Sequence, residues 1–170
     1  MASIRSARMS DVTEIVKLIN TFAKDGLLLP RSLQSIYENL LAFRVVEEEG
    51  CVVGTAGLHI LEDDMAEIRS LAIAQAAQGK GYGKWLVESL FAEAEALEVP
   101  QVLALTYQED FFSRCGFHVV EKMSLQRKIW KDCAYCTKFP ACDEVAMMRP
   151  TRIGEATGLA QAYGPQALGR

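Results

Sequence analysis

The sequence predicts an α+β (mixed α/β) fold in which helices cover a mixed sheet. Three observations predict it: strand patterns dominate the middle of the chain, helical patterns fill the connections, and a helical pattern after Gly81 separates two strand patterns, as in a parallel crossover. A chain of 170 residues suits one domain with a sizeable core. We place that domain at residues 1–149 and expect residues 150–170, rich in Gly and Ala, to form a tail with one loose helical turn.

Two helices are predicted early in the chain. Between residues 12 and 22, apolar side chains recur at helical spacing. Asp11, followed three residues later by Glu14, is typical of a capping box at the start of this helix, and Gly26 ends it. A second helix is expected from Ser32 to about Leu41.

Strands are predicted from short apolar runs bounded by turn residues. A tight turn at Glu49-Gly50 joins one pair, and the polar turn Glu62-Asp63-Asp64 precedes the next strand. Two more helices, at Gly81 to about Glu95 and at Glu109–Cys115, interrupt the later strands. The predicted strands are Ile4–Ala7, Phe43–Glu47, Val52–Ile60, Met65–Ile73, Val102–Leu105, Phe117–Val120 and Glu144–Met148.

Composition and charge exclude several classes of protein. Half of the residues are apolar and 24% are charged, which is typical of a globular domain and not of a disordered chain. With a net charge of -4, the chain lacks the excess of positive charge that nonspecific nucleic-acid binding requires. No apolar run is long enough to span a bilayer, and the start of the chain lacks the apolar segment of a signal peptide. We therefore expect a cytoplasmic protein without nucleic-acid or membrane partners.

A glycine-rich run at Gln78–Gly83 lies between a predicted strand and a predicted helix. Glycines at alternate positions allow a tight turn and a close approach of the backbone to a ligand. The N–H groups at the helix start, together with Lys80 and Lys84, favour an anion. The spacing fits neither a Walker A loop nor G-x-G-x-x-G. The run predicts a pyrophosphate site, and a plain strand-to-helix turn is the alternative.

This run resembles the pyrophosphate motif of the GNAT acetyltransferase superfamily, Q/R-x-x-G-x-G/A, and the order of elements over about residues 3–148 is similar. The resemblance implies a mostly antiparallel sheet with a splay between the strands that end near Ile73 and Leu105. It implies acetyl-CoA as cosubstrate. The implied cofactor-binding residues are Leu71, Ala72 and Ile73 along the pantetheine arm, and Gln78, Gly79, Lys80, Gly81, Tyr82, Gly83 and Lys84 at the pyrophosphate.

A closer resemblance is to single-domain N-acetylglutamate synthases of the amino-acid N-acetyltransferase type. It implies acetyl transfer to the α-amino group of L-glutamate, the first step of arginine biosynthesis, without an amino-acid kinase domain. The stretches that carry it are Leu28–Leu33, Glu67–Ala72, Ala104–Tyr107, Phe111-Phe112 and Lys128–Cys133, continuing through Cys136, Lys138–Pro140, Cys142–Glu144 and Ala146-Met147.

The predicted strand at Met65–Ile73 carries two charged residues, Glu67 and Arg69, and strict alternation places both on one face with Leu71 and Ile73. A solvated salt bridge is one explanation. The other is catalytic: Glu67 matches the general base of some GNAT enzymes, and Arg69 would hold a carboxylate of the acceptor. Glutamate brings two carboxylates, so basic residues are further substrate-binding candidates: Arg31, Arg127 and Lys128, each of which would otherwise be an ordinary solvated charge. Ser70, next to Arg69, is a candidate as well.

The general acid of the reaction is open. Many GNAT enzymes carry Tyr-x-x-x-Gly-Phe, and here Phe112 stands where the tyrosine is expected. Tyr107 and Ser113 are the nearby substitutes, although either residue could have only a structural role. No acid is needed if the CoA thiolate leaves unaided.

A cysteine run occupies Cys133, Cys136 and Cys142, with Asp143, Cys115 or His118 as fourth-ligand candidates for zinc. Because no fourth ligand has a diagnostic spacing, we expect no required metal, and packed thiols or a redox-sensitive pair are the alternatives. The oligomeric state is not fixed by the sequence, and a homodimer is left open. Two other functions also stay open: acetylation of another small amine or a protein N-terminus, and a noncatalytic acyl-CoA sensor.

Overall fold

The structure, a computed structural model, describes residues 1–125 and 143–158. Seven strands form one sheet in the order β1-β2-β3-β4-β5-β7-β6. The strands are β1 Ala2–Ser6, β2 Phe43–Glu48, β3 Cys51–Glu62, β4 Met65–Ile73, β5 Gln101–Thr106, β6 His118–Val120 and β7 Val145–Pro150. The α-helices in the described ranges are α1 Val12–Lys24, α2 Leu33–Glu38, α3 Tyr82–Ala96, α4 Glu109–Arg114 and α5 Arg152–Thr157.

The sheet is mixed and mostly antiparallel, as the fold prediction requires. β1 with β2, β2 with β3, β5 with β7 and β6 with β7 pair antiparallel. β4 and β5 pair in parallel through Met65–Glu67 and Gln101–Leu103, and α3 connects them, which confirms the predicted crossover. The hairpin between β2 and β3 turns through Glu49 and Gly50 at φ 51° and 79°, the paired positive angles of a tight hairpin turn.

The chain divides into two compact units. The first contains Met1–His59 and Ile68–Glu93. Its core forms where the apolar faces of α1 and α2 pack on β2, because the helical periodicity of α1 buries one side of that helix. The buried residues of this cluster are Val12, Ile15, Ile19, Ile36, Phe43 and Val45.

The second unit begins with Ile60–Glu67 and resumes at Ala94. Its core cluster consists of Leu61, Met65, Leu103, Val120, Leu125, Ala146 and Met148. In the same unit, Thr151 is buried and its hydroxyl donates to the carbonyls of Val99 (2.6 Å) and Pro100 (3.0 Å). A Cβ atom at Gly154 would lie 2.1 Å from the Pro100 carbonyl oxygen, so α5 packs here without space for a side chain.

Three local features differ from the sequence predictions. The predicted capping box is wrong, because Asp11 accepts from the Arg8 N–H (2.7 Å) and from Arg5, and its side chain does not cap α1. The second predicted helix is shorter than expected: α2 is capped by Ser32 and a separate 3₁₀ turn follows at Leu40–Ala42. Residues 152–157 form a helix capped by Thr151, whereas one loose turn was expected.

Within residues 1–125 and 143–158, no helix combines the length and the apolar character that crossing a bilayer would require.

Candidate active site

The glycine-rich loop connects the end of β4 to the start of α3. A 3₁₀ turn at Gln75–Ala77 leads into it, and buried Ala77 anchors that turn. The Gln78 side chain folds back and its amide donates to the Ile73 carbonyl at 3.1 Å. The predicted helix start is confirmed, since the Trp85 N–H donates to the Gly81 carbonyl (3.1 Å) and begins α3.

Gly79 and Gly81 have φ values of +82° and +85°, and a Cβ atom at either would meet nothing within 4 Å. Backbone conformation, not crowding, is therefore what requires glycine here. Both residues are exposed, and the 15-residue helix α3 follows directly. The first N–H groups of such a helix have no carbonyl partner within it, so the loop and the first turn, which includes Gly83 and Lys84, form a surface suited to an anion.

Glu48, which sequence reasoning missed, ties this loop to the end of β2. Its carboxylate accepts from the Tyr82 hydroxyl at 2.7 Å and from the Lys80 ammonium at 3.0 and 3.1 Å. The Tyr82 hydrogen bond and then Lys80 lower the pKa of Glu48, and Glu48 in turn raises the pKa of Lys80 and of Tyr82. The Lys80 ammonium therefore forms an ion pair within the protein, with Glu48.

β4 carries the predicted base. Glu67 is only 5% exposed and lies between buried Ala66 and Ile68, with Leu103 of β5 as its paired residue. Burying a carboxylate is unfavourable unless it is paired or hydrogen-bonded.

Regular alternation along β4 holds only as far as Arg69. Ser70 has φ +58°, a left-handed conformation that few side chains adopt, and this interrupts the pleat. Leu71 and Ile73 are half-buried, and the Ile73 side chain packs against Gly54. A regular strand would place Glu67, Arg69, Leu71 and Ile73 on one face, and the interruption at Ser70 breaks that pattern.

Arg31, at the start of the α2 segment, lies in the first unit with Arg69 and Ser70. Its Nε donates to Ser35 Oγ at 2.9 Å, its Nη1 makes a long contact of 3.4 Å with Ser70 Oγ, and its guanidinium lies 5.7 Å from the centroid of the Phe43 ring. Burial, and then the charge of Arg69, lower the pKa of Arg31. Among the described residues, Arg31 forms no ion pair with a carboxylate.

The candidates for the general acid lie in the second unit. Phe112 is buried and packs edge-on against Phe111 and Phe117, so it belongs to an aromatic cluster. The Tyr107 hydroxyl donates to an Asp143 carboxylate oxygen at 2.7 Å. Ser113 is exposed on α4.

Several predicted residues lie outside the described part of the chain. These are Arg127, Lys128, Cys133, Cys136 and Cys142, so the possible zinc site and two substrate candidates stay predictions. Over residues 1–125 and 143–158, no group of three or more His, Cys, Asp or Glu side chains is placed to hold a metal ion.

Comparisons with known proteins give a consistent result. Residues 12–118, well over half of the chain, match the acetyltransferase (GNAT) family. An uncharacterized N-acetyltransferase of Chlorobaculum tepidum is 37% identical over 146 residues, covering 86% of this chain and 94% of the relative. An amino-acid acetyltransferase of Mycobacterium tuberculosis is 36% identical over 132 residues, covering 76% of this chain and 75% of that protein.

Among solved structures, N-acetylglutamate synthase of Neisseria gonorrhoeae, complexed with coenzyme A and N-acetyl-glutamate, superposes with a TM-score of 0.76 at 26% identity. The match covers 88% of this chain but only 35% of that longer one. The chain therefore belongs to the GNAT acetyltransferase family and is an acetyl-CoA-dependent N-acetyltransferase.

Proposed function

We propose that the protein transfers an acetyl group from acetyl-CoA to the α-amino group of L-glutamate. The observation that carries the proposal is the pair of arginines, Arg31 and Arg69, held near one another in the first unit. Arg31 makes no ion pair with a carboxylate among the described residues, and the charge of Arg69 disfavours its protonated form, so an anion bound beside Arg31 would offset that repulsion. A carboxylate of the substrate is such an anion.

The surroundings of Arg31 favour binding to a carboxylate. Its described protein partners are neutral: the hydroxyls of Ser35 and Ser70, and the face of Phe43. A guanidinium presents its donors as a planar fork that matches a carboxylate in two parallel hydrogen bonds. Partial burial strengthens such a bond, because less water competes for the donors.

The relatives support an amino acid as acceptor. The Mycobacterium tuberculosis relative is an amino-acid acetyltransferase, and the Neisseria gonorrhoeae structure contains the product N-acetyl-glutamate with coenzyme A. A reaction of this kind would be the first step of arginine biosynthesis and would take place in the cytosol. The chain spans about a third of the Neisseria gonorrhoeae protein.

Glu67 is proposed as the general base. The α-ammonium of glutamate must lose a proton before its nitrogen can attack the thioester carbonyl, and a carboxylate can take that proton directly or through one water. Glu67 precedes Arg69 by two residues in the sequence of β4. Attack would give a tetrahedral oxyanion, for which a backbone N–H near Leu71 or Ala72 is the proposed donor.

Collapse of the tetrahedral intermediate would release the CoA thiolate. The Tyr107 hydroxyl donates its proton to Asp143 and would have to leave that hydrogen bond to act as the acid, while Ser113 is exposed on α4. A thiolate is a sufficiently good leaving group that neither residue need donate a proton. We propose that the pyrophosphate of acetyl-CoA binds the loop N–H groups at residues 79–84, and that Lys80 acts mainly through its ion pair with Glu48.

The decisive experiment follows free-thiol release from acetyl-CoA with a panel of acceptors: L-glutamate, L-glutamine, other amino acids and a peptide with a free N-terminus. The expected result is release with L-glutamate and much less with L-glutamine, which lacks the second carboxylate. Release with other amines but not with glutamate would contradict the acceptor. Binding of acetyl-CoA without release on any acceptor would favour an acyl-CoA sensor. Loss of release on adding a chelator would identify the cysteine run as a metal site.

A further inference from the structure

We infer that Asn20 is a positioning residue for the acceptor carboxylate, because it fixes the backbone of Arg31. This inference rests on the proposed function, in which Arg31 binds a carboxylate of glutamate. Asn20 does not contact the guanidinium in the described structure, so it acts through Arg31 and not on the substrate.

The contact is a pair of hydrogen bonds between one carboxamide and one backbone residue. Asn20 Nδ2 donates to the Arg31 carbonyl at 2.9 Å, and the Arg31 N–H donates to Asn20 Oδ1 at 2.9 Å. Both distances are ideal for N–H···O bonds. The carboxamide thus satisfies both polar groups of the Arg31 backbone, much as a neighbouring strand would.

The segment that Asn20 holds has little other support. Residues 25–32 contain no regular secondary structure, and most of them are exposed, including Leu29 and Pro30. The main-chain hydrogen bonds described for this segment lie at its two ends: the N–H groups of residues 25–27 donate to the Phe22 and Ala23 carbonyls, and the Ile36 N–H donates to the Ser32 carbonyl. A segment of this kind is expected to sample several conformations unless it is tied to a rigid element. Helix α1 is that element.

The position of Asn20 on α1 makes it an effective anchor. Ile19, the preceding residue, is fully buried in the core of the first unit, so the backbone of the helix is fixed there. Two fixed points then orient the Arg31 side chain: its backbone on Asn20 and its Nε on Ser35. Without the Asn20 hydrogen bonds, the guanidinium stays bonded to α2 through Ser35, but the Arg31 backbone can shift with residues 25–32. Such a shift weakens a bidentate hydrogen bond to a carboxylate, because that bond depends on geometry.

The test is a double-mutant cycle on L-glutamate kinetics. Asn20→Ala should raise KM for L-glutamate about tenfold, the loss expected from one to two neutral hydrogen bonds, while KM for acetyl-CoA stays within about twofold. Arg31→Ala should raise the same KM by at least as much. In the Arg31→Ala background, adding Asn20→Ala should change KM by less than about twofold, since there is no longer a guanidinium to position.

Thr21→Ala is the matched control, because Thr21 follows Asn20 on α1 and also donates to a main-chain carbonyl, that of Lys17 (2.8 Å), which belongs to neither of the two points that hold Arg31. It should leave KM for glutamate unchanged within about twofold. If Asn20→Ala does not fold, Asn20→Asp replaces it in the cycle, since it keeps the oxygen that accepts from Arg31 and loses the donor. Equal effects of the Asn20 variant with and without Arg31 would overturn the inference. Absence of glutamate turnover in the wild-type protein would instead overturn the proposed function.

Discussion

Substituting Gly81 by alanine tests whether the loop conformation itself binds acetyl-CoA. The φ of +85° costs an alanine about 1–2 kcal/mol, and because nothing lies within 4 Å of the new Cβ, no clash adds to this strain. The free protein can relieve the strain by moving the loop out of the binding conformation. Acetyl-CoA must then restore that conformation, so its apparent affinity should fall by about 5- to 30-fold.

Isothermal titration with coenzyme A and KM for acetyl-CoA measure the effect of Gly81→Ala, and denaturant unfolding measures the strain that remains in the fold. Gly158→Ala is the matched control: its φ is +75°, a Cβ there also meets nothing within 4 Å, and it lies at the end of α5, outside the loop. The control should carry a similar strain and leave coenzyme A binding unchanged. The reasoning fails if Gly81→Ala binds coenzyme A like the wild type, or if the control weakens binding equally.

Two further predictions concern charged groups. Glu67→Gln keeps the shape of the base but cannot take a proton, so kcat at neutral pH should fall by about 10²- to 10⁴-fold. The deficit in kcat should shrink as rising pH deprotonates the free amine. A variant with wild-type kcat across the pH range would remove Glu67 from the mechanism. The Arg5 hydrogen bonds, with the Arg8 N–H, lower the pKa of Asp11, so ionised Asp11 stabilises the fold above the unfolded-state pKa of about 3.9, and this contribution is lost as pH falls through the lower folded value. Asp11→Asn should therefore lower the free energy of unfolding, measured with urea at pH 7, by about 2–3 kcal/mol. The stability of this variant should also fall less steeply as the pH is lowered, and an unchanged pH dependence would contradict the pairing of Asp11 with Arg5.

Features coded by a local pattern were predicted from the sequence. The strand Met65–Ile73, the hairpin at Glu49-Gly50 and the start of α3 follow from periodicity and from glycines at fixed offsets, and the structure has each of them. The family, too, follows from short motifs, because the glycine-rich loop is one continuous segment. The acceptor prediction came from resemblance, and the arginines then gave it a physical basis.

Features that depend on residues distant in the chain were missed. Glu48 meets Lys80 32 positions later, and nothing near Glu48 in the sequence marks it as part of the loop. Asn20 looks like an ordinary polar position on an amphipathic helix. Asp11 has the spacing of a capping box. Its carboxylate instead accepts two hydrogen bonds from the Arg5 guanidinium, because a charged bidentate bond is stronger than a cap.

The strand order has a consequence for synthesis on the ribosome. β7 lies between β5 and β6, yet it is made after both, so β6 has no neighbour in the sheet and β5 has only β4 until residue 150 has left the exit tunnel. The first unit has all of its residues by Glu93, before β5 is made. During the interval, β5 presents an open, apolar edge that invites pairing with another nascent chain. Slow translation of the stretch before β7 would lengthen that exposure, and a chaperone that shields the edge would be of most use there.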